Sequence, residues 1–295
     1  MGKLIVTTTS ANSPTPALPP QQPPLSGGKR LRGMVTENTA EHPLVTVITA
    51  VFNARPYISG CLDSVIGQDY PNVEHIVLDG GSSDGTIEVL REYDDRIAFW
   101  KSEPDKGVYD AWNKALAEAG GEWICFLGAD DELLPGAISA YMTLAVANPE
   151  AEYLSSQVRW THPSGYVNPA HGRPWKWRRF AKSMCVAHPG SMHRRRLYDR
   201  AGVYDTSYRS AADYEFLLRA RADLKTAFMP LTTVMMRAGG MSDDSIAPTE
   251  AYRAKVTTGG RNAFLATLEL WEMRGQFMLG PLRRAVGKLV AQWSK

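Results

Sequence analysis

Polar residues follow three short apolar runs of the sequence, with carboxylates and glycines after the second and third. Residues 44–51 (LVTVITAV) lead to Phe52-Asn53, residues 73–78 to Asp79-Gly80-Gly81-Ser82-Ser83-Asp84-Gly85, and residues 122–127 to Gly128-Ala129-Asp130-Asp131. Glycine, lacking a Cβ, lets backbone come close to a ligand. An acid after the second run can accept hydrogen bonds from the sugar or base of a nucleoside. The acids after the third can hold a hard divalent cation through oxygen ligands. A tight turn or a helix cap would account for either group taken singly. Polar groups at three strand ends of one sheet, two of them acidic, point instead to a ligand site beyond the carboxyl ends of the strands.

The intervening sequence supplies the elements that must position these groups. Residues 44–51 are β-branched and largely apolar, as in a parallel strand covered on both faces. Pro56 can open a helix, in which Ile58, Cys61, Leu62 and Val65 recur at helical spacing. A second strand is predicted over 73–78 after the Tyr70-Pro71-Asn72 turn. A helix carrying Ile87 and Leu90 follows, capped by Asp84 or Thr86. A third strand falls over 97–101, a helix over 108–119 stopped by Gly120-Gly121, and a fourth strand over 122–127. Strand and helix in alternation indicate an α/β fold, a mostly parallel sheet flanked by helices. Beyond Pro135 the pattern is less regular. It predicts a strand over 153–160, helices over 193–201 and 213–222, and one or two strands over 224–237. The remainder is helical, interrupted by Gly259-Gly260 and Gly280-Pro281.

Composition narrows the class. Of 295 residues, 44% are hydrophobic and 22% charged, the balance of a folded globular chain rather than a fibrous one. Thirty-three lysines and arginines against 31 acids leave a net charge of +2, so no global field points to a nucleic-acid partner. Cys61, Cys125 and Cys185 are odd in number and widely spaced, which argues against a disulfide framework or zinc knuckle and fits a reducing compartment. No run reaches the ~18–20 apolar residues of a membrane span, and the first residues do not form a signal peptide; the chain reads as cytoplasmic. Residues 1–42 differ from the rest, with six prolines between Pro14 and Pro24, and are expected to form a disordered tail. The first strand is followed by TAVFNARPY, without the glycines of a dinucleotide fingerprint, and no P-loop occurs.

Three stretches together resemble family 2 glycosyltransferases of the GT-A fold. VTVITAVFNARPYISGCLDSVIGQDYPNVEHIVLDGGSSDGT resembles the amino-terminal half, and DKGVYDAWNKALAEAGGEWICFLGADDEL continues it in order. HPGSMHRRRLYDRAGVYDTSYRSAADYEFLLRA resembles the acceptor-side segment. The resemblance spans about residues 44–237 and is closest to small, non-processive bacterial members that build polysaccharide or glycolipid. It implies a Rossmann-like GT-A domain over 43–248, divided into a nucleotide-sugar half (43–135) and an acceptor half (136–248), with a helical basic extension over 249–295. It further implies inverting transfer from a nucleotide sugar, a UDP-sugar, to a hydroxyl of a saccharide or lipid-linked acceptor, assisted by Mg²⁺ or Mn²⁺.

Residue roles follow from the same resemblance. Ala50, Phe52, Asn53 and Asp79 would hold the nucleoside. Asp84 matches the second acid of the family's turn, and Asp105, Gly107, Asn113 and Lys114 match the donor-pocket segment. Asp130 matches the last acid of the family's D-x-D element and Asp213 its catalytic base. Gly128 stands where the first acid of D-x-D is expected, leaving Asp131 to supply part of the metal site. That departure is also the reason to consider a catalytically weak, sugar-nucleotide-binding scaffold as the alternative. Glu215, two residues beyond Asp213 on a helix, should point elsewhere. His188 and His193 could approach the donor diphosphate, though a structural role suits a lone histidine as well.

Two basic stretches remain. Residues 171–200 hold nine lysines and arginines against Asp199, interleaved with Trp175, Trp177 and Phe180. No nucleic-acid motif accompanies them, and contact with lipid headgroups or lipid phosphates is the expected use, with a solvated basic loop as the alternative. Residues 253–295 hold eight lysines and arginines against Glu269 and Glu272, with apolar faces that include Trp271 and Trp293. A cationic amphipathic helix of this kind can lie on an anionic membrane, here its inner face, or pack on the domain.

Overall fold

The computed structural model describes residues 25–239 and 245–271. The proline run at 14–24 and the distal part of the basic extension, including Trp293, lie outside the described residues.

A nine-stranded mixed sheet runs through the molecule in the order β1-β4-β3-β2-β5-β8-β7-β9-β6. Its strands are β1 (Leu25–Gly27), β2 (Val45–Val51), β3 (Val73–Asp79), β4 (Phe99–Ser102), β5 (Trp123–Phe126), β6 (Glu132–Leu133), β7 (Tyr153–Thr161), β8 (Met192–Arg194) and β9 (Thr226–Arg237). The helices are α1 (Arg55–Ile66), α2 (Thr86–Glu92), α3 (Val108–Glu118), α4 (Ala137–Ala147), α5 (Trp177–Phe180), α6 (Arg195–Ala201), α7 (Ala212–Ala220) and α8 (Ala247–Thr257). Residues 263–271 form a further helix.

β4, β3, β2 and β5 are mutually parallel. The apolar residues that dominate β2 and β5 follow from this placement, because helices cover both faces. Val45, Val47 and Val51 pack with Ile58, Leu62 and Val65 of α1 and Ile138 and Tyr141 of α4. Ile48, Ile76 and Leu78 face the other way, toward Tyr109, Ala115 and Leu116 of α3 and Phe216 and Leu217 of α7. The register pairs Val51 with Asp79 and Asp79 with Ser102. Those strands therefore end level with one another, and their connecting loops share one edge of the sheet. Cys61, Cys125 and Cys185 are buried and free.

The structure departs from the sequence reading in three places. Residues from Leu25 onward already form regular structure, well before Leu44. β1 pairs antiparallel with β4, and a 3-10 turn at Lys29–Arg32 follows. Arg30 pairs with the buried Glu74, and Arg32 with Asp94. Gly27 and Gly28 permit this contact, since a Cβ on Gly27 would lie 2.4 Å from Trp100 Nε1 and one on Gly28 2.8 Å from the Phe99 Cα. Local composition carries no sign of partners so distant in sequence.

The second departure lies within the expected helix over 193–201. Met192–Arg194 instead form β8 between β5 and β7, and the helix starts at Arg195. Three residues are too few to show a strand period. The third concerns the boundary at 249, which falls inside α8. That helix packs on α7, and its buried Glu250 carboxylate accepts hydrogen bonds from the backbone N–H groups of Arg209, Ser210 and Ala211 at 2.7–3.1 Å. The start of the expected extension thus belongs to the domain.

Candidate active site

At the carboxyl edge of the sheet, Asp79 closes β3 with its side chain only 1% exposed. Its Oδ2 accepts from Gly81 N (3.0 Å), Ser82 N (2.9 Å) and Ser102 Oγ (2.6 Å), and Oδ1 accepts from Ser82 Oγ. The charge is balanced by directed donors, and the Gly80–Ser83 loop is fixed around it. Asn53 locks the neighbouring loop to the same turn. Its backbone N–H donates to Ser82 Oγ (2.7 Å) and its Oδ1 accepts from Ser83 N (2.9 Å). Asn53 holds φ at 49°, a left-handed conformation that asparagine tolerates better than most residues. Phe52 is left 65% exposed at the rim. Ala50, one register step inside β2, pairs with Leu78.

Asp84 ties two helix starts together. One oxygen accepts from Arg55 N at the head of α1 (3.0 Å), the other from Thr86 N (3.0 Å) and Thr86 Oγ1 (2.6 Å) at the head of α2. The Thr86 hydroxyl, with the two backbone donors, holds its carboxyl below the usual range. Asp105 bends over the Gly80 turn, and a Cβ on Gly80 would lie 2.7 Å from Asp105 Oδ2. Its Oδ1 accepts from Gly107 N (2.8 Å), and Gly107 enters α3 at φ 116°. Asn113 and Lys114 serve the scaffold. Asn113 donates to Tyr204 O (2.8 Å) and accepts from Tyr204 N (3.0 Å). Lys114 bridges Glu103 and Asp110, each at 3.2 Å.

Beyond β5, Asp130 is partly exposed and has no hydrogen-bond or ion-pair partner among the described residues. Asp131 is 4% exposed, and its Oδ1 accepts from the backbone N–H of Arg237 at the end of β9 (3.0 Å). Burial, and next the charge of Asp130, push its carboxyl up to about 7. Two adjacent carboxylates, one unpartnered and one resisting ionisation, form the kind of oxygen-donor set that a hard divalent cation satisfies. The residues present therefore fit such an ion, with Asp130 the more available ligand.

Asp213 stands at the head of α7, partly exposed. Its Oδ1 accepts from its own neighbour Tyr214 N (2.8 Å) and from Tyr109 Oη of α3 (3.2 Å). Glu215 points away: it is 5% exposed, bonded to Arg219 Nε (3.0 Å) and Thr258 Oγ1 (2.8 Å). His188 and His193 are buried within an aromatic cluster, where His188 stacks on Trp112 with centroids 5.3 Å apart. Burial lowers the pKa of both imidazoles; the charge of Asp213 partly offsets this at His188, while His188 lowers His193 further. His193 Nδ1 lies 2.9 Å from Tyr198 Oη and Nε2 3.2 Å from Ser191 Oγ. Among the described residues, no lysine or arginine ion-pairs with Asp79, Asp105, Asp130, Asp131 or Asp213. A groove of about 630 Å³ at the opposite end of the sheet, beside Pro43, Tyr70 and Trp123, contains none of these residues.

Sequence reasoning missed Ser102, Tyr109, Arg237 and Glu250. Each contributes through one hydrogen bond or one cluster formed across the fold, and none stands in a local motif.

The family model described as glycosyl transferase family 2 matches residues 46–202, just over half of the chain. The chain belongs to glycosyltransferase family 2. The glycosyltransferase is 34% identical over 186 residues to an uncharacterized glycosyltransferase of Mycobacterium tuberculosis, covering 60% of this chain and 69% of the relative. It is 27% identical over 216 residues to a PGL/p-HBAD biosynthesis glycosyltransferase of Mycobacterium bovis, covering 68% and 80%. Its fold matches that of S. aureus TarS in complex with UDP-GlcNAc, with a TM-score of 0.62 at 18% identity over 80% of this chain and 73% of TarS. It also matches the Pyrobaculum calidifontis mannosyltransferase PcManGT in complex with GDP-Man and Mn²⁺, with a TM-score of 0.56 at 19% identity over 90% and 86%. The fold is GT-A.

Proposed function

We propose that this glycosyltransferase moves a sugar from a nucleotide sugar, a UDP-sugar, to a hydroxyl of a saccharide or lipid-linked acceptor, with inversion. The carrying observation is the set of five aspartates at one sheet edge without a lysine or arginine ion pair among the described residues. Such a set calls for a ligand that brings its own cation and hydrogen-bond donors. A nucleotide sugar with Mg²⁺ or Mn²⁺ does both.

Within this reading the loops fixed by Asp79, Asn53 and Asp84 form the floor under the nucleoside, and Phe52 offers it an exposed ring. Asp105 and Gly107 border the same turn. Asp130, with the remaining oxygen of Asp131, would hold the divalent cation, which supplies charge neutralisation to the departing diphosphate. Asp213 accepts the proton of the acceptor hydroxyl as that oxygen bonds to the anomeric carbon and the carbon–oxygen bond to the diphosphate breaks. One displacement opposite the leaving group inverts the anomeric centre. Tyr109 and the Tyr214 N–H both donate to one oxygen of Asp213, which sets the carboxylate's orientation for the acceptor.

The names of the relatives support an envelope acceptor: PGL/p-HBAD biosynthesis for one, and teichuronic acid biosynthesis for the putative Bacillus subtilis glycosyltransferase TuaG, 43% identical over 93 residues. No helix among the described residues is long and apolar enough to cross a membrane, and we place the enzyme in the cytoplasm, at the inner face. Separate measurement of donor binding and turnover tests the assignment. Asp213→Asn should keep donor affinity within about threefold and lower turnover by roughly 10²–10⁴. Turnover unaffected by this change would remove Asp213 from the mechanism.

A further inference from the structure

Outside the site, five cations crowd the short segment around α5. Arg173, Lys176, Arg178, Arg179 and Lys182 are all exposed, and none makes an ion pair among the described residues. The aromatic residues between them turn inward. Trp175 packs on Phe180 with centroids 4.2 Å apart, and Phe180 is fully buried. Like charges concentrated this way repel one another and set up a local positive potential that attracts anions.

A second unpartnered feature lies further along the chain. On the helix over 263–271, Ala266 is buried and Glu269 pairs with Lys255 and Arg261. The remaining face exposes Phe264 (71%), Leu268 (53%) and Trp271 (69%), at the spacing of one helical stripe. The helix over 263–271 is tied through Glu269 to Lys255 of α8, which packs on α7, and α5 is tied to the head of α7 at Tyr214, the residue after Asp213. Its hydroxyl donates to Phe180 O (2.8 Å), and burial, followed by the charge of Glu269, raises its pKa.

We infer that the α5 cations and the 263–271 apolar stripe form a docking surface for an anionic lipid bilayer, flanking the acceptor side of the active site. Cations alone would suit any phosphate chain. The exposed Phe264, Leu268 and Trp271 favour a lipid interface, where an aromatic stripe enters the headgroup region while basic residues meet lipid phosphates. The sequence beyond Trp271 carries five more cations against Glu272, of the same sign. The surface extends the proposed function by stating how an acceptor held in a membrane reaches Asp213, and it rests on that reading only for its use.

Co-sedimentation of the full chain with vesicles tests it. The protein should bind phosphatidylglycerol–phosphatidylcholine vesicles at low salt, release with added salt, and ignore pure phosphatidylcholine. The triple variant Arg178→Glu, Arg179→Glu, Lys182→Glu should bind about a hundredfold more weakly, and Phe264→Ser with Trp271→Ser at least about tenfold more weakly. Binding of UDP with Mn²⁺ should stay unchanged in both, which separates failure of the surface from failure of the site. Absence of sedimentation with anionic vesicles, or sedimentation indifferent to charge reversal, overturns the inference. So does loss with the triple variant but none with the helix variant when soluble polyphosphate competes as well as vesicles, which would assign the patch to a phosphate chain in solution.

Discussion

Gly128 leaves the space in which the Asp131 carboxylate lies. A Cβ at position 128 would come within 2.6 Å of Asp131 Oδ2 and 3.3 Å of Asp130 Oδ1. The residue that departs from the D-x-D pattern is thus matched to the acid three positions later, which folds back and reaches the Arg237 N–H. This gives Gly128 a structural use and weakens the reason for reading the chain as a scaffold. Gly128→Ala should displace Asp131 from its bond to Arg237. The expected cost is about 1–3 kcal/mol, from overpacking, with weaker cation-dependent nucleotide binding. Urea denaturation and a UDP titration check the two effects; an unchanged midpoint and affinity would show that the site relaxes freely around the added methyl.

Glu250 anchors the loop that delivers Asp213. Its buried carboxylate receives three successive backbone N–H groups just before α7. Glu250→Ala leaves those donors unsatisfied and should cost on the order of 2–4 kcal/mol. Glu250→Gln keeps the shape with half the acceptors and is expected to lower turnover more than donor affinity. Equal loss of both in the glutamine variant would point to general unfolding rather than misplacement of Asp213.

Arg30 gives the buried Glu74 its cation, alongside the Thr46 hydroxyl and the Gly120 N–H (2.6 Å). Arg30→Ala should destabilise by about 2–4 kcal/mol, since it strands a carboxylate inside the fold. Thermal unfolding of the variant measures this, and restoration by Glu74→Gln in the same chain would locate the cost in the stranded charge.

Stability should fall in acid because three histidines are buried in their neutral form. Burial drops His75 to about 3 and lowers His188 and His193 as well. Their folded pKa values lie below the ordinary value near 6.5, so the unfolded chain binds protons that the native one refuses. The contribution is complete above ~6.5 and is lost as pH falls toward the folded values. Between pH 6.5 and 5, His75 alone accounts for roughly 2 kcal/mol. Urea midpoints across this range should decline, less steeply in His75→Gln; a flat profile in the parent chain would contradict the burial.

Much of this was legible in the sequence. The central strands and α3 lie within a residue or two of expectation because a parallel strand covered on both faces, and a helix stopped by Gly120-Gly121, write their own periods. Asp130 follows β5 and Asp213 heads α7, and the roles proposed for them come from the family resemblance. Asn113 and Lys114 show what motif matching omits: both sit in the matched segment, yet their side chains are spent on Tyr204 and on Glu103 with Asp110. β1, β8 and the Glu250 contact were hidden for a common reason. Each is short, and each is held by partners far along the chain, 39 residues away in the Ala211–Glu250 bond, so no local window contains the cause.

Calorimetric titration of UDP into the full chain, with and without Mn²⁺, tests the central claim most directly when repeated on Asp130→Asn. The account predicts binding with Mn²⁺ that weakens at least about tenfold without it, and a variant whose residual affinity no longer responds to the ion. Absence of binding by UDP under both conditions, or an Asp130→Asn variant with undiminished Mn²⁺ dependence, would contradict it.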